Sequence, residues 1–149
     1  MMNQPNPKGG NTEAMFRNWL TIWGALLMSC LMFALMSWFI GQPSGLTGAA
    51  QFIPLFPLFL LLSLSVLAAS FFLKGRQLAQ AVAQQKPLIL QSGYIVAWAL
   101  CEASCLFGLV GILITKALAF YALMALGLLA LLAHFPKRDD LHATVYKGR

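Results

Sequence analysis

An all-α integral membrane protein, with four spanning helices arranged as two antiparallel hairpins, is the fold class this sequence predicts. Three observations predict it. Of its 149 residues, 60% are hydrophobic and only 9% are charged, at a mean hydropathy of +0.76, whereas soluble domains carry about 25% charged residues. The apolar residues gather into four runs, each near the ~20 residues that a spanning helix needs. The basic residues, finally, fall almost entirely on one side of those runs.

The runs are Trp19 to Ile40, Phe52 to Leu73, Ser92 to Thr115 and Ala117 to Phe135. Residues 1–18 read as a flexible N-terminal arm, 19–135 as a four-helix transmembrane domain, and 136–149 as a basic tail in which Lys137, Arg138, Asp139 and Asp140 form a solvated stop. Four spans put both termini on one face. That face would receive nine of the ten basic residues: Lys8 and Arg17 from the arm, Lys74, Arg76 and Lys86 from the central connection, and Lys137, Arg138, Lys147 and Arg149 from the tail. The other face receives Lys116 alone. Lys and Arg accumulate on the cytoplasmic side of membrane proteins, so both termini are expected in the cytoplasm. The same distribution argues against a nucleic-acid partner. The net charge of +6 is scattered beside apolar segments rather than clustered on one element, and membrane topology accounts for it.

Each element has a local reason. Leu27, Met28, Ser29 and Cys30 resemble a lipoprotein cleavage box, but the apolar run continues to Ile40, so a retained first helix with a buried Cys30 is expected. Gly41, Pro43, Ser44, Gly45 and Gly48 mark a flexible connection. Pro54 and Pro57 suit the first turns of the second helix, where missing backbone donors cost least. Beyond Lys74 the helix formers Leu78, Ala79, Gln80 and Ala81 predict that this helix runs on to Gln84, with a turn at Gln85, Lys86 and Pro87 and a third helix to Thr115. The two long helices would then project beyond the ~30 Å hydrocarbon core as a glutamine-rich hairpin; the other reading of the same residues is a solvated loop with an interfacial turn of helix. A very short connection at Thr115 and Lys116 forces the third and fourth helices into an antiparallel pair.

The third helix carries the candidate functional residues. Ala97, Cys101, Ser104, Gly108 and Gly111 recur at spacings of four, three, four and three, which a rotation of ~100° per residue places in one stripe of small side chains. Such stripes let membrane helices approach closely. Glu102, an ionisable group deep in this run, lies at the margin of the stripe near Trp98. A carboxylate at the centre of a spanning helix costs roughly 2.5 to 3.5 kcal/mol, so it is a functional candidate by default. Two readings are open for it: a neutral packing carboxyl hydrogen-bonded across a helix contact to Ser, Thr or a backbone carbonyl, or an ion-binding group.

Ala99, Leu100, Cys101, Glu102 and Ala103, followed by Gly108, Leu109 and Val110, resemble the carboxylate helix of the rotary ATP synthase proteolipid, the c subunit. The preceding Gly75, Arg76, Gln77 and Pro87 are similar in order to that family's polar hairpin. Over residues 75–115 the resemblance implies that Glu102 takes up and releases a proton or sodium ion at mid-membrane.

Other chemistry is thinly represented. Cys101 and Cys105 share a helix face, but the sequence places no His, Asp or third Cys to complete a metal site. His134 and His142 read as boundary and tail residues, and Trp19, Trp23, Trp38 and Tyr94 as interfacial anchors. With no phosphate loop, nucleophile motif or zinc signature, the chain is expected to be a non-catalytic protein of a bacterial inner membrane, needing no cofactor. Its expected partners are the lipid bilayer and either another membrane protein or further copies of itself.

Overall fold

The structure, a computed structural model, describes residues 7–40 and 55–145. The connection around Gly41 to Gln51, Pro54, the first six residues and the last four lie outside the described residues. Five α-helices follow one another: α1 (Pro7–Ile40), α2 (Leu55–Gln84), α3 (Pro87–Thr115), α4 (Tyr121–Ala133), preceded by a 3-10 turn at Leu118–Phe120, and α5 (Arg138–Val145). No strand occurs among the described residues. By length and composition three helices, α1 to α3, are long and apolar enough to cross a membrane. A fourth is counted if Leu118–Ala133 and Arg138–Thr144, bent by 51° against each other, are taken as one span.

The central hairpin forms where expected. Gln85 adopts a left-handed φ of 51°, Lys86 is extended, and Pro87 opens α3, where its missing N–H and fixed φ suit a first turn. At the other end Lys116 ends α3 in a left-handed conformation, its N–H bonded to the Ile112 carbonyl. Its ammonium also donates to the Ile40 carbonyl at 2.8 Å. The lone basic residue of that end thus neutralises the C-terminus of α1.

Packing departs from two hairpins. α3 is the central helix, contacted by α2, α4 and α1, while α1 packs on α3 and α4 and barely touches α2. The most apolar window of α3 is accordingly 44% buried, against 17% for α2 and 11% for α1. The first pair fails because α1 points its buried side chains, among them Trp19, Cys30 and Ser37, at α3 and α4. Its remaining apolar side chains, Met28, Leu31, Met32 and Leu35, face outward. Outward apolar side chains are what lipid solvates.

Two further expectations are overturned at the basic end. Residues 7–18 are helical, part of α1, rather than a flexible arm. The tail is not a solvated stop: α5 folds back onto α2 and α3. Pro136, Leu141 and Thr144 are buried. Together with Phe16, Ala81 and Leu90 on other helix ends beyond the expected spans, Leu141 joins a buried cluster that continues inward through Trp98, Cys101 and Leu131. No single one of these ends could bury a core. Four of them side by side can.

Candidate functional site

The small-residue stripe of α3 is buried throughout: Ala97, Cys101, Ser104, Gly108 and Gly111 all face the interior. Its counterpart on α4 is Gly127. A Cβ at Gly127 would lie 2.8 Å from the Cys101 carbonyl oxygen and 2.9 Å from the Cys105 nitrogen, and a Cβ at Gly108 would lie 2.9 Å from both the Met124 nitrogen and the Phe120 carbonyl. Backbone cannot yield at those distances. The two helices therefore meet backbone to backbone, and glycine is required on each. Gly127 was not singled out in the sequence, since one glycine in a Leu- and Ala-rich run has no periodicity of its own.

Hydroxyls tie the next layer together. Ser104 donates to the Leu123 carbonyl at 3.3 Å and pairs with the buried Ser63 hydroxyl of α2. Since the carbonyl can only accept, Ser63 is the donor to Ser104, and the three helices are linked in the order α2, α3, α4. Each of these hydroxyls finds its partner within the chain, whereas the buried Trp19 Nε1 and His134 Nε2 have none among the described residues.

Glu102 sits on the edge of this packed zone, as its helical angle predicts, and is partly buried. Its Oε1 accepts a hydrogen bond from the Ser29 hydroxyl of α1 at 2.6 Å. The bond joins residues 73 apart in sequence, and no sequence signal links the two. Among the described residues no ion pair reaches Glu102. Trp98, expected beside it, turns away and is buried, its indole N–H donating to the His134 carbonyl at 2.9 Å.

A second polar cluster lies toward the basic end, and most of it was not legible. His134 is buried rather than interfacial, its ring 4.3 Å from that of Phe71. Its Nδ1 is 2.8 Å from the Ala130 carbonyl, which only accepts, so the Nδ1–H donates and Nε2 carries the lone pair. Cys101 Sγ lies 4.0 Å from that Nδ1 and 3.9 Å from the Ser70 hydroxyl. Cys105 Sγ instead contacts the Met124 carbonyl at 3.5 Å. The i, i+4 cysteines thus have different neighbours, and the described residues contain no group of three His, Cys, Asp or Glu able to hold a metal ion.

Trp19 and Tyr94 are buried against each other with ring centroids 5.3 Å apart, not interfacial anchors. The Tyr94 hydroxyl donates to Asp140 of α5, and the Lys74 ammonium sits 4.4 Å above the Tyr94 ring. Arg138 completes the docking of α5 by pairing with Glu13 at 3.1 Å and stacking over Phe16. Only Trp23 and Trp38 keep an outer position, and Trp23 donates to the Leu131 carbonyl at 3.0 Å. Among the described residues the arrangement offers hydrogen bonds and close packing. No family model, curated protein or solved structure matches the chain.

Proposed function

We propose that this chain is a non-catalytic, four-span protein of a bacterial inner membrane, with both termini in the cytoplasm, acting as an accessory or scaffold subunit of a larger membrane complex. One observation carries the reading: the costly carboxyl of Glu102 is used to join α1 to α3 through Ser29. A group engaged in holding two helices together is a packing device. The paired Ser63 and Ser104 hydroxyls and the glycine contact of α3 with α4 support the same account, because the one uses polarity and the other close approach to hold helices together. The helix before the polar hairpin, Pro57 to Leu73, contains no glycine, and so lacks the glycine-repeat surface with which proteolipids pack into rings.

The second reading is proteolipid-like translocation of protons or sodium by Glu102. Its support is that the carboxyl is only partly buried and could be reached from outside the bundle. Carbodiimide modification separates the two. In purified protein, dicyclohexylcarbodiimide labelling of Glu102 should be indifferent to sodium, and vesicles carrying the protein should show no proton or sodium flux. Sodium-protected labelling together with a flux abolished in Glu102→Gln would overturn the scaffold reading.

A further inference from the structure

The interior of the bundle leaves one long face of its central helix uncovered. At ~100° per residue the buried side chains of α3 fill one arc, and Val96, Ala99, Leu106 and Val110 project from the opposite one. α1 meets α3 on the flank that carries Glu102, and α2 meets it on the flank that carries Ser104. Since α1 and α2 barely touch, no described element covers the arc between them. Ala99 and Ala103 lie one turn apart within it, so another helix could approach the α3 backbone closely there. Glu102 stands at its rim, partly exposed, with one hydrogen bond to Oε1 and none to Oε2 among the described residues.

From this juxtaposition we infer that the α3 face between α1 and α2 docks a transmembrane helix of a different protein, one that presents a neutral hydrogen-bonding side chain (Ser, Thr, Asn or Gln) to Glu102. The inference rests on the scaffold reading and names the chemistry of its partner. A second copy does not fit. Glu102 lies ~70° from the centre of the uncovered arc, so a two-fold axis through that arc sends the two carboxyls to opposite sides, each against the apolar Leu100 and Phe107 flank of its mate. A basic side chain is disfavoured because the partner helix must insert before it associates, and Lys or Arg at mid-membrane is costly on insertion. A neutral polar group inserts more readily and still supplies the missing hydrogen bond.

The test is photo-cross-linking of the full chain in its native membrane. Benzoylphenylalanine is placed at Leu106, with Leu61 on α2 and Leu129 on α4, both outward-facing, as controls, and adducts are mapped by mass spectrometry. The expected result is an adduct from Leu106, absent from both controls, to one identified transmembrane segment of another protein with Ser, Thr, Asn or Gln at the depth of Glu102. Its yield should fall roughly 3- to 16-fold in Glu102→Leu, the equivalent of one interhelical hydrogen bond, and be kept in Glu102→Gln. Ala103→Leu, which leaves the Ser29 bond intact but fills the face, should lose the adduct even if Glu102→Leu misfolds. Lipid adducts alone, an adduct to a second copy, or a segment presenting Lys or Arg at that depth would overturn the inference. Specific adducts to another protein from Leu61 or Leu129 instead would overturn it while leaving the scaffold reading standing, whereas a flux dependent on Glu102 would remove that reading itself.

Discussion

The basic end and the apolar zone of the same helices are held by different means. In the apolar zone α3 and α4 meet through Gly108 and Gly127, with serine hydroxyls bridging to α2 and the Ser29–Glu102 bond reaching α1. At the basic end the contacts are large aromatic rings, Trp19, Tyr94 and Trp98, with the ion pair of Arg138 and Glu13 and the Tyr94–Asp140 bond fastening α5. On the proposed placement in a membrane, the difference follows from solvent. In hydrocarbon there is no hydrophobic drive between helices, so association relies on close approach and hydrogen bonds. Where water is near, burying large apolar surface is favourable again.

Substitutions can break or sharpen that contrast. Trp19→Ala removes a fully enclosed ring of the basic end, and unfolding in detergent should show a loss of roughly 3 to 5 kcal/mol. A loss below ~1 kcal/mol would mean that this end is not a packed core. Gly127→Leu should lower stability by roughly 1 to 3 kcal/mol through overpacking, whereas Gly75→Leu, where an added Cβ meets nothing within 4 Å, should leave it unchanged or raise it by up to ~1 kcal/mol, since glycine is a poor helix former. Equal effects from the two glycines would contradict the close α3–α4 approach. Tyr94→Phe should cost about 1.5 kcal/mol by stranding Asp140, and proteolysis of α5 should accelerate with it. The smallest effect is expected for Arg138→Ala. Its ion pair is largely exposed, at 60% and 55% for the two side chains, so a loss under ~1 kcal/mol that vanishes in high salt is expected.

How far the sequence reveals this arrangement depends on the range of each interaction. The stripe from Ala97 to Gly111 is readable because its period belongs to one helix, and Glu102 at its margin follows from the same rotation. The turn at Gln85 to Pro87 is readable from proline and from helix formers on both sides. Ser29 is not, because a hydroxyl one residue from Cys30 gives no sign of a carboxyl far along the chain. The tail misleads for a related reason: Arg138, Asp139 and Asp140 look solvated, while the partners that fasten α5, Tyr94 and Glu13, lie on other helices. The spacing of Leu141 and Thr144 on one side of a short helix was the available signal. His134 misleads as well, since its burial depends on Phe71 and Ser70 of α2.

The central claim is that Glu102 holds α1 to α3 through Ser29, and a double-mutant cycle measures it most directly. Unfolding of the parent, Ser29→Ala, Glu102→Ala and the double variant should give a coupling of roughly 0.6 to 1.7 kcal/mol, the range for a hydrogen bond between membrane helices. Additive losses with no coupling, while Glu102→Ala leaves assembly intact, would contradict it.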